Sequence, residues 1–459
     1  MTPEDQRAGR RRLHTLIAMG LAFLVVLGLP FVLAPEKQEE APGERKLNVI
    51  SMHAETIRRE FARAFSEWTA ETQGYTVEVI WEDVGGTLAA QRYVNDQFQQ
   101  RPDGIGIDVF FGGGVDPYLY FAERGVLHRC DLPKDILDRI PQQYAGMDVY
   151  DPQQRWFGAC LAGFGILTND KVLEFLDVSP PREWKSLGQP PYFTWVSSAD
   201  PRQSGSMHMV YEIILQAYGW EDGWETVMRI GANCRAFTGQ ASDVPREVSA
   251  GEAACGMAID TYALRAVAEA GRDRMTFHLP EGLTVVNPDA IGVLKGAPHP
   301  ELAELFVQFV LSERGQKLWI LKAGAPGGPQ EFELYRLPVI PGLVDKYSEH
   351  SVVKFDPFDY EGGVDFDSPK MSKRWRILND LFGARIIDTH DELARAWKRL
   401  RNLPDEDPRK QRLLEPPVSE EVLLQMAEEK WGDPYYRAET IAGWSDEARL
   451  LYRGLAKEK

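Results

Sequence analysis

Between Lys46 and Leu127 the chain alternates short apolar runs with amphipathic stretches, and this rhythm limits its fold more than any other feature. KLNVIS reads as a strand. HAETIRREFARAFSEW then sets Ile57, Phe61, Phe65 and Trp68 along one side of a helix. YTVEVIWED is a second strand, ended by the Gly85-Gly86-Thr87 turn, and LAAQRYVNDQFQQ is a second helix. IDVFFGGG is an apolar strand that runs into three glycines, and DPYLYFAERGVL is a helix stopped by Gly125. Strands and helices in strict alternation predict a parallel sheet covered by helices. Such sheets receive ligands beyond the carboxyl ends of their strands. Here those ends are Met52-His53, Val84 to Thr87 and Gly112 to Gly114.

The pattern continues. In WFGACLAGFGILTNDKVLEFL the run Gly163 to Thr168 predicts a strand, and Asn169 or Asp170 caps the helix after it. YFTWVSSADPRQSGSMHMVYEIILQAYGW gives a strand, a polar turn and a long helix. NCRAFTGQASDVPREVSAG and ACGMAIDTYALRAVAEAG each give a strand and a helix. From Ala290 to Trp319 the chain reads AIGVLKGAPHPELAELFVQFVLSERGQKLW: an apolar strand, a turn with two prolines, and a helix whose apolar face carries Leu302, Leu305, Phe306, Phe309 and Val310.

The order of these words resembles bacterial extracytoplasmic solute-binding proteins of ABC transporters, in the branch that takes iron(III), phosphonates or sugar phosphates. In that family a returning GVLK strand, a Pro-containing turn and a helix ending near S-E-x-G-Q close the first lobe. The W-x-G strand followed by ILTNDK, ahead of PREWKSL, marks the crossing into the second. The resemblance spans roughly Lys46 to Pro338. It implies an α/β, two-lobed periplasmic-binding-protein-like fold of type II, with residues 46–160 and 286–338 in lobe 1 and residues 161–285 in lobe 2. It also implies a solute clamped between the lobes by hinge closure. Residues 339–459 fall outside it. KRWRILNDLFG, DELARAWKRLRNL, SEEVLLQMAEEKW and SDEARLLYRGLAKE all read as helices, expected as a C-terminal extension packed on the first lobe, or else as a separate helical module.

The amino terminus points the chain out of the cytoplasm. Arg7, Arg10, Arg11 and Arg12 precede an uncharged run from Leu16 to Leu33. At ~1.5 Å rise per residue this run reaches ~27 Å, close to the hydrocarbon thickness of a bilayer. The basic flank predicts a cytoplasmic stub over residues 1–12, a transmembrane anchor over 13–34 and a flexible tether over 35–45. A cleaved signal peptide is the rival. Its cleavage site would be Ala34 before Pro35, a poor junction, so an uncleaved anchor in the inner membrane is favoured.

Composition excludes little beyond nucleic acid. With 69 acidic against 52 basic residues, no basic face is offered to phosphate backbones. Cys130, Cys160, Cys234 and Cys255 show no zinc-ligand spacing. In an oxidising compartment they allow two disulfides in three connectivities, or four buried thiols. Cys234 and Cys255 are expected to lie near each other in the second lobe.

Candidate ligand residues sit at strand ends. Ser204-Gly205-Ser206 opens a long helix, where unpaired N–H groups and the positive dipole end suit an anion. Plain N-capping is the alternative for these serines. The string Asp200 to Ser206 matches the D-P-x-x-S-G-S/T turn of relatives that bind phosphonates or sugar phosphates. Arg202 in the same turn is a ligand clamp or a solvated charge. Asp260-Thr261-Tyr262 lies where iron(III)-binding members place two adjacent tyrosines, and one of that pair is missing here. Asp260 and Tyr262 are then left to bond ligand hydroxyls. Gly86, Thr87, Gly113 and Gly114 permit close backbone approach. Gln240 belongs to a similar strand-end turn, and His53 follows the first strand.

No Walker A, G-x-G-x-x-G, H-E-x-x-H or G-x-S-x-G motif occurs in context. The expectation is a non-enzymatic receptor without cofactor, binding a small phosphate- or phosphonate-bearing anion and serving the membrane permease of an ABC transporter. An iron(III) receptor, an extracytoplasmic hydrolase and a sensor or scaffold are the alternatives.

Overall fold

The computed structural model describes residues 44–144, 147–271, 273–354, 356–359 and 363–458. The expected stub and anchor, and the tether up to residue 43, lie outside the described residues. Among the described residues no helix is long and apolar enough to cross a membrane.

Nine strands form one sheet: β1 (Glu44–Ser51), β2 (Thr76–Glu82), β3 (Val109–Phe111), β4 (Phe157–Asn169), β5 (Val196–Ala199), β6 (Cys234–Thr238), β7 (Cys255–Ile259), β8 (Met275–His278) and β9 (Val286–Val293). Their order is β2-β1-β3-β9-β4-β7-β5-β6, with β8 also on β4. β1 runs parallel to β2 and β3, as the alternating pattern predicts. β9 returns antiparallel between β3 and β4.

All thirteen residues of β4 are buried. From Phe157 to Gly163 it pairs with β9, and from Phe164 to Thr168 with β7. One strand thus belongs to both halves of the sheet. Where it changes partners, the Asp260 carboxylate accepts a bond from the Gly163 N–H at 2.8 Å. A side chain on Gly165 would stand 2.2 Å from the His278 carbonyl oxygen, so only glycine fits there.

In the first half, α1 (Glu55–Gln73), α2 (Thr87–Gln100), α3 (Asp116–Glu123), α9 (Pro300–Leu311) and α10 (Glu313–Ile320) cover the sheet. α1 buries Ile57, Phe61, Ala64 and Phe65 and stops at Gly74, whose φ of 78° lets its N–H reach the Thr69 carbonyl. Phe61 packs on Trp319 at 4.4 Å between centroids, and Phe65 meets Phe306 edge-on at 5.0 Å. In the second half, α4 (Asp170–Leu176), α5 (Gly205–Tyr218), α7 (Asp243–Ser249) and α8 (Asp260–Ala270) each follow a strand, and α6 (Trp220–Asn233) follows α5 directly. The Asn169 side chain caps α4 by accepting from the Val172 N–H.

The C-terminal helices are α11 (Ser368–Phe382), α12 (His390–Leu400), α13 (Pro408–Leu414), α14 (Glu420–Glu429) and α15 (Pro434–Leu455), with a π-helical turn at Gly383–Ile387. α11, α12 and α13 pack on α5 and α6, in the second half rather than on the first lobe as expected, and α14 and α15 pack on these helices. The reason lies in α5 and α6, which bury residues all round: besides the face toward the sheet, Tyr211 and Trp224 pack on Phe382. Helices apolar on every side need cover on both. Polar groups fix the docking. Trp397 donates its indole N–H to Asn233 Oδ1 at 2.7 Å, and Trp220 donates to the Val418 carbonyl. The fully buried Arg374 donates to Glu212 at 2.6 Å through Nη2 and also bonds Glu420.

All four cysteines are buried and unpaired. Cys234 and Cys255 both lie in the second half, but not on neighbouring strands. Each pairs with Val196, from opposite sides of β5. Two strand spacings are roughly 9–10 Å, beyond the ~7 Å between Cα atoms that a disulfide bridges.

Removing one member of a buried ion pair strands the other. Glu212→Ala is expected to lower stability by about 3–5 kcal/mol. The double change Glu212→Leu with Arg374→Met should recover most of that loss. Denaturant titration of both variants checks this.

Candidate functional site

A cavity of about 670 Å³ opens between the two halves of the sheet. Its walls are the strand-to-helix turns that the parallel topology collects at one end. The starts of α1, α2, α5 and α8 all face it through Ala54, Thr87, Ser206 and Thr261. The first N–H groups of a helix have no intrahelical acceptor, and the positive dipole end adds to them. The cavity therefore gathers main-chain donors from both halves.

The serine turn divides its work. Ser204 Oγ accepts from the Met207 N–H at 3.2 Å and so caps α5. Ser206, two residues on, keeps its hydroxyl on the cavity wall. Gly205 lies close to the other half: the position a side chain would take there is 3.8 Å from Thr87 Oγ1 across the cleft, an ordinary contact distance.

Charge comes from residues the motif search missed. Arg58, Arg265 and Arg336 line the cavity against Asp83 and Asp289. Arg58 is held by Asp83 at 3.0 Å, and Arg265 donates to the Glu333 carbonyl. Arg336, only 3 % exposed, bonds Asp289 and lies 3.2 Å from Cys160 Sγ. Burial opposes its charge, but Cys160, Asp289 and Asp260 around it keep the guanidinium protonated. Burial likewise raises the Asp289 carboxyl, yet Arg336, His53 and the N–H groups of Gly114 and Gly113 bring it below the usual range. The Gly114 N–H reaches Asp289 at 3.0 Å because Gly112, Gly113 and Gly114 all take positive φ, 98°, 93° and 75°.

His53 stands beside this pair. Its Nδ1 is 4.0 Å from Asp289, its Nε2 is buried with no partner among the described residues, and its ring meets Phe111 edge-on. Burial lowers its pKa to about 4, so the imidazole is neutral at physiological pH. With three guanidinium groups against two carboxylates, the lining carries a net positive charge although the whole chain is at −17.

Of the residues picked from the sequence, His53, Gly86, Thr87, Gly113, Ser204, Gly205, Ser206, Gln240 and Tyr262 line this cavity. Gly114 faces a smaller chamber behind it. Two fall elsewhere. Arg202 lies outside this cavity: it bonds Asp200 and, at 2.8 and 2.9 Å, Asp388 of the C-terminal extension, and lines a separate cavity beside Thr87 and Trp375. Asp260 is fully buried, bonding the N–H groups of Gly163 and Thr261 rather than a ligand, and burial raises its pKa to about 6. A signal for Asp289 existed in VVNPDAIGVLK, an acid inside an otherwise apolar strand. Arg336 comes from an irregular segment and gave none. Among the described residues, no group of three or more His, Cys, Asp or Glu is placed to hold a metal ion.

Comparison with known proteins agrees with this geometry. The sequence profile of the bacterial extracellular solute-binding proteins matches residues 106–360. The chain belongs to that family. A curated relative, the phosphoglycerate transport regulatory protein PgtC of Salmonella typhimurium, is 26% identical over 243 residues, which cover 52% of this chain and 56% of the relative. The chain thus spans about half the length of that relative. An uncharacterized protein of Haemophilus influenzae is 26% identical over 254 residues, 52% of this chain and 71% of that protein. The periplasmic binding protein P5PA shares the fold with a TM-score of 0.58 at 20% identity, over 74% of this chain and 99% of its own. The periplasmic binding protein AfuA of Actinobacillus pleuropneumoniae, solved with fructose 6-phosphate, gives 0.57 at 19% identity, over 79% and 99%. Membership in this family makes it an extracellular solute-binding protein.

The histidine is testable by titration. Its folded-state pKa lies below the unfolded value, so His53 contributes stability that is complete above pH 6.5 and lost as pH falls toward 4. NMR of the labelled imidazoles, assigned with His53→Gln, should show His53 neutral at pH 5.5. Titration near 6.5 would contradict the burial argument.

Proposed function

We propose that the cavity binds a small phosphorylated solute and that the protein hands it, unconverted, to the membrane permease of an ABC transporter. One observation carries this reading: helix N-termini from both halves of the sheet converge on a single cavity with net positive lining. A tetrahedral oxyanion accepts several hydrogen bonds at once, and main-chain N–H groups, hydroxyls and guanidinium groups supply them. The N–H groups of Gly205 and Ser206, the hydroxyls of Ser206 and Thr87, and the charges of Arg58 and Arg265 are the donors in reach of one ligand. The printed functions of the relatives point the same way: PgtC is named for phosphoglycerate transport, and AfuA was solved with fructose 6-phosphate.

The neighbours also include iron-bound HitA of Pseudomonas aeruginosa, with a TM-score of 0.52 at 17% identity. Iron is disfavoured by the site. Tyr262 lines the cavity, but its neighbour is Thr261, whose hydroxyl is spent on the Leu334 carbonyl at 3.1 Å. In this reading residues 13–34 anchor the domain to the membrane next to its permease, with the solute cleft on the outer side.

Calorimetric titration of the purified protein with fructose 6-phosphate, 3-phosphoglycerate, inorganic phosphate and ferric citrate tests the assignment. Ser206→Ala should weaken binding of a phosphorylated solute by about ten- to a hundredfold, the value of one charge-assisted hydrogen bond. Binding of the ferric ion alone, abolished by Tyr262→Phe and untouched by Ser206→Ala, would overturn it.

A further inference from the structure

We propose that Trp375, from the C-terminal helical extension, is a ligand-binding residue, and that with Asn287 and Asp116 it forms an inner subsite for the uncharged, hydroxyl-bearing part of a phosphorylated polyol. This rests on the phosphate reading of the main cavity and adds the class of solute.

Behind the cavity lies a chamber of about 90 Å³. Thr87, Gly113, Gly205, Ser206, Ile259 and Asp289 line both spaces, so the two adjoin. Ser206, where the phosphate reading places the oxyanion, lines the chamber as well as the cavity. Three of the side chains that line it each carry a buried polar atom with no hydrogen-bond partner among the described residues: Trp375 Nε1, Asn287 Oδ1 and Asp116 Oδ1. Asn287 is 5 % exposed. Buried polar atoms left unpaired cost stability and are uncommon away from sites of function. Three around one chamber mark a place where something else supplies the bonds.

The chemistry of the three selects the occupant. An indole N–H only donates, and Asn287 Oδ1 only accepts. A hydroxyl does both. A second carboxylate would face the Asp116 carboxyl, whose burial already pushes its pKa up to about 7. At ~30 Å³ per water-sized group, the chamber admits roughly three such groups, the size of a short hydroxylated fragment.

The tryptophan is held for this task. Its ring stacks on His208 at 3.6 Å between centroids, and His208 Nδ1 lies 2.7 Å from Asn379 Oδ1, one helical turn beyond Trp375. The ring stands 4.0 Å from the position a side chain on Gly205 would take.

Trp375→Phe keeps the ring and removes the N–H. Parent, Trp375→Phe and Ser206→Ala are titrated with fructose 6-phosphate, glycerol 3-phosphate, 3-phosphoglycerate and inorganic phosphate. Trp375→Phe should weaken the two polyol phosphates about tenfold and change inorganic phosphate less than twofold, while Ser206→Ala weakens all of them. The parent should prefer the polyol phosphates to 3-phosphoglycerate. The Trp375 indole N–H resonance, assigned by its loss in Trp375→Phe, should move on saturation with fructose 6-phosphate and stay in place with inorganic phosphate. Equal effects of Trp375→Phe on all probes, no effect on any, or a stationary resonance would overturn the subsite and leave the phosphate reading intact. If the parent binds no phosphorylated probe, the phosphate reading falls and the subsite with it.

Discussion

A thirteen-residue strand buried along its whole length sets the terms for everything around it. β4 crosses from one half of the sheet to the other without a polar break, and each half needs its hydrogen bonds. Its residues from Phe157 to Leu167 are all apolar or small, and Gly165 must be glycine, because the His278 carbonyl occupies the space of a side chain. The change of partner at Gly163 is pinned by a buried carboxylate, that of Asp260. Asp260 also begins α8, whose next residues Thr261 and Tyr262 enter the cavity. The crossing point and one wall of the site therefore share a residue.

The C-terminal extension is fastened to the half that carries the serine turn. Arg374 ties α11 to α5 through Glu212, and Arg202 ties the Asp200 turn to Asp388. α5 starts with the glycine and serine that face the cavity and continues with the residues that bury the extension. One helix is thus both a binding element and a docking surface.

The alternation of strands and helices was plain in the sequence because each helix buries one stripe and each strand is short and apolar; the parallel pairing of β1 with β2 and β3 follows directly. Strand-end glycines and hydroxyls were legible for the same reason, since the topology collects them at one end. Three things were not. Asp260 sits at a strand end like a ligand residue, yet its carboxylate turns inward to a main-chain N–H 97 residues away, a long-range bond that no local pattern encodes. Arg336 reaches Asp289 from an irregular segment with no periodicity to read. The docking of the extension turned on which helices are apolar all round, and in α5 the polar-looking His208 and Glu212 hid it: both are fully buried, paired with Asn379 and Arg374 of the extension.

The cysteines bear on how such a domain matures outside the cytoplasm. The thiolate is the species that oxidises and exchanges. Burial first of all, with nearby acids adding to it, pushes the Cys130 thiol up to about 12, and burial raises Cys160, Cys234 and Cys255 as well. Cys234 and Cys255 are held on either side of β5, too far apart to join without undoing the sheet. In the fold, burial thus favours the protonated thiol over the reactive thiolate at all four. Before the sheet forms the same four thiols lack that shelter, and a crosslink made then between Cys234 and Cys255 is one the fold cannot hold.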